Sequence, residues 1–458
     1  MPAGVSMRIQ IARGQTLLEA LQQAKIEVHA PCGGNGTCGL CTVEVYGYGR
    51  VKSCQFCKPG IYEIKLPEKE AFRVLREEGE RAYPWYQKRV TEGTPFSHEQ
   101  AQFVAVDLGT TTVAVTAYLH TGVSEASFVN PQRAYGADVI HRIQAANAGK
   151  QQELHQLIVN RLEEILRERK VPKEVPVYIS GNTTMQHLFQ NLSVKGLGNY
   201  PFTPVDLSYR RVHAIGEDGR AFFLLPGISA YVGGDIVSGI YGLDIYKAKA
   251  PVLLLDFGTN GEMVLGTEGQ MYVTSTSAGP AFEGSALGME LHGAGILKLL
   301  ALLRKQGILD ETGLLQEPYF SEGYPVSLWK KDCDLVLTQD FIREIQMAKA
   351  AMTAGIEVLL QHAGAKPEEV EKIYLAGGMG HLMDPSDAVV VGLLPKEMKG
   401  RCIPVGNASL MGAIRLGENR GTFPQAACTN AKEIVLSNEE TFESRYLSHM
   451  SFPKLGSL

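Results

Sequence analysis

The chain has 458 residues, of which 45% are hydrophobic and 20% are charged, and its formal net charge is -5. This length is enough for roughly two to four globular domains, and the composition is that of a folded protein. A weakly acidic chain without long runs of Lys or Arg is not expected to have nucleic acid as its principal partner. The sequence has no run of about 18 apolar residues and no signal-peptide pattern, so we expect no membrane partner and a cytoplasmic location.

The first 68 residues predict one compact domain. Alternating and helical hydrophobic patterns predict strands at 7–11, 42–48 and 61–66 and a short helix at 17–24. The following segment, 69–100, is rich in Glu and Arg and predicts a charged linker.

The predicted first domain carries four cysteines at ligand-like spacing, Cys32-x5-Cys38-x2-Cys41 and then Cys54 after twelve residues. Clustering of this kind in a long chain favours metal ligation over disulfides. Thiolates suit both zinc and iron-sulfur clusters. Four glycines between the ligands let backbone N–H groups approach the cluster sulfurs, which favours an iron-sulfur cluster. Cys57 is an alternative to Cys54 as the fourth ligand.

From Phe103 onwards, predicted strands alternate with predicted helices, as in an α/β architecture. The strands are predicted at 103–106, 113–118, 177–180, 252–255, 263–265 and 373–376, and the helices at 154–166 and 339–362. A strand-loop-strand pattern occurs twice, which predicts a duplicated pair of lobes at 101–250 and 251–420. The tail, 421–458, has little pattern, and we assign no function to it.

The loop after the first of these strands has the sequence Asp107-Leu-Gly-Thr-Thr-Thr112. Gly109, Thr110, Thr111 and Thr112 can form a hairpin whose N–H groups contact phosphate oxygens. Asp107 is suited to hold Mg²⁺, usually through water, because that ion keeps much of its hydration. A single loop of this kind is also compatible with an ordinary hairpin.

The second strand-loop-strand unit carries Asp256-Phe-Gly-Thr-Asn260. We expect Asp256 to act on the metal or on an attacking water molecule, and Gly258 with Thr259 or Asn260 to contact phosphate. Glu262 either positions water or is structural, and the same two alternatives hold for Glu283.

The two loops are followed along the chain by a glycine turn, Ala376-Gly-Gly-Met-Gly380. This arrangement resembles the ATPase fold shared by sugar kinases, the seventy-kilodalton heat-shock chaperones and actin. The resemblance implies that Gly377, Gly378 and Met379 border a bound nucleotide. The sequence contains no Walker A motif, so the other common phosphate-loop fold is disfavoured.

The cysteine loop resembles that of two-iron, two-sulfur ferredoxins, with one residue more between the first pair of ligands. The two resemblances together imply an α/β multidomain protein. An N-terminal β-grasp, ferredoxin-like α+β domain would precede a duplicated ATPase fold of the actin, heat-shock chaperone and sugar-kinase type.

Further motifs narrow the resemblance. They are Asn130-Pro-Gln132, Tyr135-Gly-Ala-Asp138, Gly181-Asn-Thr-Thr-Met185, Gly233-Gly-Asp235, Ala278-Gly-Pro-Ala-Phe-Glu-Gly284 and Gly406-Asn407. With the cysteine loop, they resemble the reductive activators of corrinoid-dependent methyltransferase systems. Members of that family often carry a further domain between the two halves, and in this chain only the short linker occupies that place.

The resemblance implies an ATP-hydrolysing iron-sulfur reductase. Its cofactors would be a [2Fe-2S] cluster, ATP and Mg²⁺. It would return the corrinoid of a methyltransferase system from cob(II)alamin to cob(I)alamin by one electron, which an upstream low-potential donor supplies. The sequence does not decide the oligomeric state, and a homodimer is one alternative.

Three other functions are compatible with parts of this sequence. The ATPase half also resembles activators of radical dehydratases, but those hold a four-iron cluster across a dimer with far fewer cysteines per chain. A non-enzymatic, nucleotide-switched redox module would show negligible ATP turnover. A small-molecule kinase with a regulatory cluster would yield a phosphorylated product.

Overall fold

The structure is a computed structural model. It describes residues 6–24, 26, 28, 41–66, 101–120, 122–213, 220–258, 260–277, 293–331, 333 and 335–457. Among the predicted features, the linker at 69–100, Glu283 and the site residues Cys32, Cys38 and Thr259 lie outside the described residues. The chain divides into two compact units, with the division falling between Leu225 and Pro226.

The N-terminal part of the first unit is a small antiparallel sheet with one helix. Its strands are β1 (Ser6–Ile11), β2 (Thr42–Val45), β3 (Gly49–Lys52) and β4 (Gly60–Lys65), in the order β1-β4-β2-β3. Helix α1 (Leu17–Gln23) begins at a capping box, in which the Thr16 hydroxyl accepts from the Glu19 N–H at 3.2 Å. Leu17 and Leu21 of this helix are buried against the sheet, which stabilises the domain by roughly 1.5–3 kcal/mol per side chain.

A six-stranded sheet forms the rest of the first unit, in the order β7-β6-β5-β8-β10-β9. Its strands are β5 (Phe103–Leu108), β6 (Thr112–Tyr118), β7 (Val123–Val129), β8 (Val177–Gly181), β9 (Arg210–His213) and β10 (Ala221–Leu224). Its α-helices are α2 (Val139–Ala145), α3 (Gln151–Glu168) and α4 (Thr183–Phe189). The strand β5 is almost wholly buried, as its apolar sequence indicates, and it runs parallel to β8.

The second unit contains another six-stranded sheet, in the order β17-β16-β11-β12-β13-β18. Its strands are β11 (Val252–Phe257), β12 (Gly261–Thr267), β13 (Gln270–Thr276), β16 (Lys372–Ala376), β17 (Cys402–Gly406) and β18 (Ala431–Glu433). A separate two-stranded sheet consists of β14 (Tyr324–Pro325) and β15 (Val336–Leu337).

The described part of the second unit also contains the remaining helices. They are α5 (Gly234–Gly242), α6 (Gly293–Lys305), α7 (Tyr319–Glu322), α8 (Gln339–Ala363), α9 (Gly377–Gly380), α10 (Pro385–Val391), α11 (Ala408–Glu418), α12 (Ala426–Thr429) and α13 (Phe442–Ser448). The longest, α8, begins at the N-cap Thr338 and ends at Gly364 in the left-handed conformation. No helix in the described part of the chain is long and apolar enough to span a membrane.

The two large sheets share one topology around their central strands. In the first, β7 and β6 are antiparallel, β6 and β5 are antiparallel, and β5 and β8 are parallel. In the second, β13, β12, β11 and β16 repeat this order and these directions. In both sheets, a loop from the central strand to its antiparallel neighbour carries one of the predicted phosphate-binding sequences.

The tail is part of the second unit. Strand β18 extends the sheet parallel to β13. The Lys349 side chain, 1% exposed, donates to the carbonyls of His449 and, at 2.8 Å, Ser451. Arg304 donates to the carbonyl of Pro453 at 2.7 Å. Burial lowers the pKa of Lys349 to about 7, and the positive charge of Arg304 contributes to the lowering.

The low pKa of Lys349 predicts a pH dependence of stability. Between pH 7 and pH 10.5 the unfolded chain binds the lysine proton and the folded chain does not, so stability rises with pH in this window. We expect Lys349→Met to flatten the rise, measured as denaturation midpoints between pH 7 and pH 9. Lys298→Met, which alters an exposed lysine of α6, should keep the rise. An unchanged slope in Lys349→Met would show that this lysine is not the titrating group.

Candidate functional site

The first predicted phosphate loop connects β5 to β6. Asp107 is the penultimate residue of β5 and lies beside Ser180 of the parallel strand β8. Gly109 turns the chain so sharply that a Cβ atom at this position would collide with the carbonyl oxygen of Thr112. The loop conformation therefore requires glycine at this position.

Two asparagines hold this loop. The Asn130 amide donates to the Gly109 carbonyl at 2.9 Å, and the Asn182 amide donates to the Thr110 hydroxyl oxygen at 3.0 Å. Each asparagine is also an N-cap, Asn130 of the 3-10 turn Pro131–Tyr135 and Asn182 of α4. Sequence analysis placed both in family motifs but did not connect them with the loop.

The orientation of two peptide groups follows from these contacts. The Gly109 carbonyl accepts from Asn130 and the Thr110 carbonyl accepts from Arg142 of α2. In a trans peptide the N–H points away from the C=O. The N–H groups of Thr110 and Thr111 therefore point away from their anchors, the orientation that an anion-binding loop needs.

The second predicted loop lies in the other unit, between β11 and β12. Asp256 of β11 is paired with Glu262 of β12 across the strand ladder. The loop is closed by a bond of 3.0 Å from the Gly258 N–H to the Asn260 carbonyl. The structure thus brings Asp256, Gly258 and Asn260 together within one tight turn.

The glycine turn after β16 packs against this loop. Gly377 has a φ of +78°, and a Cβ atom there would lie 2.6 Å from a carboxylate oxygen of Asp256 and would collide with the Phe257 carbonyl. Gly378 is exposed, whereas Met379 is buried in the hydrophobic core of the second unit. Gly377 therefore lies directly against the Asp256 loop.

Carboxylates concentrate at the second loop. Burial raises the pKa of Glu262 well above its usual range, and the negative charges of Asp235 and Asp256 raise it further, while Asn260 and Ser275 act in the opposite direction. A nearby cation would relieve this repulsion. Among the described residues, no group of three or more His, Cys, Asp or Glu is placed to hold a metal ion, so a Mg²⁺ ion bound here would keep water or phosphate ligands.

The described part of the cysteine site fits a metal cluster. The sulfur atoms of Cys41 and Cys54 are 3.3 Å apart, and both residues are buried. They pack with Leu18 of α1, whose N–H donates to the Ser53 carbonyl at 3.0 Å. Cys57 is exposed. Two cysteine side chains converge at a buried site without forming a disulfide, and soft thiolates are the ligands that an iron-sulfur cluster takes.

The ferredoxin-like part and the first phosphate loop contact the same turn. The side-chain amide of Gln22, on α1, donates to the Ala134 carbonyl at 2.6 Å. Ala134 belongs to the 3-10 turn that begins at Asn130. Within the first unit, helix α1 therefore contacts both the cysteines and the turn that supports the loop.

Two of the described histidines have structural partners. His141 binds the Asp138 carboxylate at 2.8 Å. His187 binds the Thr183 carbonyl at 2.7 Å, and its other ring nitrogen accepts from the Val205 N–H at 3.0 Å. Both imidazole rings are therefore held by partners within the protein.

The fold and these loops define a class of protein in which an iron-sulfur domain is joined to an ASKHA-type domain. ASKHA denotes the fold type that sugar kinases, heat-shock chaperones and actin share. A model of the 2Fe-2S iron-sulfur cluster binding domain matches residues 1–59. A model of the RACo middle region matches 103–248, and a model of the C-terminal domain of RACo, the ASKHA domain, matches 250–291 and 288–457. The chain belongs to this family of corrinoid reductive activators, which are enzymes. The predicted fold class is confirmed.

Curated relatives agree with this assignment. The chain is 27% identical over 419 residues to the "Corrinoid activation enzyme RamQ" of Eubacterium limosum, covering 76% of this chain and 70% of the relative. It is 22% identical over 354 residues to the "[Co(II) methylated amine-specific corrinoid protein] reductase" of Methanosarcina barkeri, covering 60% of this chain and 62% of that protein.

A solved structure shares the fold. The "Reductive activator for corrinoid,iron-sulfur protein" superposes with a TM-score of 0.65 at 23% identity, covering 97% of this chain and 96% of that chain. The models of the middle region and of the C-terminal domain meet near residue 249, whereas the compact units divide after Leu225. The difference concerns helix α5, which packs with α11 in the second unit.

Gly377→Ala tests the glycine turn. The new methyl group would meet the Asp256 carboxylate and the Phe257 carbonyl, so we expect nucleotide affinity to fall at least about tenfold. Gly364→Ala is the matched control, because Gly364 also has a positive φ, +64°, but open space around it. The control should lose only stability, by roughly 1 kcal/mol. Equal nucleotide affinities of the two variants, measured by calorimetry, would contradict the proposed position of the site.

Cys54→Ala and Cys57→Ala identify the fourth cluster ligand. Because Cys54 is buried 3.3 Å from Cys41 and Cys57 is exposed, we expect the first substitution to abolish the two-iron signal. The second should leave it intact. Electron paramagnetic resonance of the reduced protein, with iron and sulfide analysis, measures both. A signal lost only in Cys57→Ala would assign the ligand to Cys57.

Proposed function

We propose that this protein uses MgATP to drive one-electron reduction of a corrinoid protein, converting cob(II)alamin to cob(I)alamin. The observation that carries the proposal is the presence, in one chain, of converging buried cysteines and two loops suited to bind phosphate. The relatives are a corrinoid activation enzyme and a Co(II) corrinoid protein reductase. Their reactions support the corrinoid as the electron acceptor.

We propose that the nucleotide is needed to move the electron from the cluster to an acceptor of lower potential. A plant-type two-iron cluster has a potential of about -400 mV, and moving one electron uphill costs about 2.3 kcal/mol per 100 mV. Nucleotide binding can supply such energy only if it favours one conformation of the complex over another. We propose that the nucleotide-bound form binds the corrinoid protein in a state whose cobalt is easier to reduce.

Each of the two loops is proposed to take part in nucleotide binding. In the first unit, the N–H groups of Thr110 and Thr111 would contact phosphate, and Asp107 would hold Mg²⁺ through water. In the second unit, Asp256 would act on the metal or on the attacking water. The glycine turn at Gly377 and Gly378 would border the adenosine.

Electron transfer would begin at the cysteine site. Cys32, Cys38, Cys41 and Cys54 are proposed to hold a [2Fe-2S] cluster, which accepts one electron from an upstream low-potential donor and passes it on. The Gln22–Ala134 contact supports communication between this part and the nucleotide loop. We propose that the packing of Leu18 against Cys41 and Cys54 shields the site from water.

The proposal is tested by mixing the anaerobic protein and a reductant with a cob(II)-loaded corrinoid protein of a methyltransferase system. Absorbance spectra measure cob(I). We expect about tenfold more cob(I) with MgATP than without it. Asp256→Asn should keep the cluster signal but lose the ATP effect, because its loop would no longer act on the metal or water.

Two results would contradict the proposal. Equal cob(I) yields with and without ATP would remove the role of the nucleotide. A protein that hydrolyses ATP but never reduces the corrinoid, although its cluster is intact, would remove the role of the acceptor.

A further inference from the structure

One cation of the first unit lies beneath the phosphate loop. Arg142 of α2 is fully buried, and its guanidinium donates to the Thr110 carbonyl, to the Gly136 carbonyl at 3.0 Å and to the Gln132 side chain at 3.4 Å. Its fourth contact is the sulfur of Met185 at 3.0 Å. All four acceptors are electrically neutral.

The charged neighbours of Arg142 do not neutralise it. Burial lowers the pKa of Arg142 to about 9, the positive charge of Arg133 lowers it further, and Asp138 raises it. The Asp138 carboxylate binds the ring and the N–H of His141. Because its pKa is about 9, Arg142 is protonated at neutral pH. A buried charge of this kind is costly unless other groups compensate it.

The position of this charge links it to the loop. The guanidinium binds the carbonyl side of the Thr110–Thr111 peptide, so the Thr111 N–H lies on the opposite side of that peptide. A cation bound to the carbonyl polarises the peptide and makes its N–H a stronger donor. Because the site is buried, the charge itself also acts on a nearby anion with little screening.

We propose that Arg142 is a positioning residue that gives the first phosphate loop its preference for ligands with more negative charge. The proposal rests on the proposed function, since it assumes that this loop binds the phosphates of a nucleotide. In this view, the phosphate chain supplies the compensating charge that the buried guanidinium lacks.

A purely structural role makes a different prediction. If Arg142 only fastened the Pro131–Tyr135 turn to α2, its removal would lower stability and would weaken the binding of all nucleotides by the same factor. The proposed electrostatic role instead predicts a loss of affinity that is smallest for AMP, larger for ADP and largest for ATP. The dependence of affinity on ligand charge therefore separates the two roles.

The experiment measures dissociation constants of AMP, ADP and ATP by calorimetry, with Mg²⁺ and in EDTA. Arg142→Met removes the charge but keeps much of the volume, and Arg142→Lys keeps the charge but loses the planar fork. We expect Arg142→Met to reduce the preference for ATP over AMP by about tenfold. Arg142→Lys should keep most of it. Arg142→Gln replaces Arg142→Met if the latter does not fold.

Arg220 provides a matched control. It is a buried arginine of the same unit, 3% exposed, that binds the carbonyls of Val171 and Pro172 at 2.9 and 2.6 Å. Arg220→Met should lower the melting temperature and leave the preference for ATP over AMP unchanged.

The outcomes distinguish the inference from the proposed function. The role of Arg142 is overturned if the preference for ATP over AMP is unchanged in Arg142→Met, or in Arg142→Gln where that variant replaces it, or if Arg220→Met loses as much of the preference. A wild-type protein that binds none of the three nucleotides in either buffer overturns the proposed function itself.

Discussion

The proposed site depends on how two peptide groups are oriented in the loop after β5. Their carbonyls are held by Asn130 and Arg142, which leaves the opposite N–H groups for an anion. Because Asn130 also begins the turn that Gln22 contacts, this loop shares its support with the iron-sulfur part of the chain.

The two large sheets repeat a topology, but the residues at their loops differ in chemistry. The first loop is backed by a buried cation, Arg142, whereas the second gathers Asp235, Asp256 and Glu262 and raises the pKa of Glu262. Under the proposed function this asymmetry has a simple meaning. The buried cation of the first unit suits phosphate oxygens, and the carboxylates of the second unit suit a metal ion.

Local patterns predicted much of this molecule. The apolar runs of β5 and β11 and the helical spacing of α3 and α8 were sufficient to place those elements. The cysteine spacing and the two loops indicated the class of protein, which the family models confirm. The edge strand β18 was missed, because a strand of three residues depends on pairing with β13 rather than on its own sequence. Arg142 was missed as well, since nothing in its local sequence shows that α2 packs beneath the loop.

A crystal structure of the protein with a non-hydrolysable MgATP analogue tests the account most directly. The account predicts phosphate oxygens within hydrogen-bonding distance of the N–H groups of Thr110 and Thr111, with the carbonyls of Gly109 and Thr110 still bound by Asn130 and Arg142. It also predicts the adenosine beside Gly377 and Gly378. A nucleotide bound away from these loops, or a loop whose carbonyls face the phosphates, would contradict it.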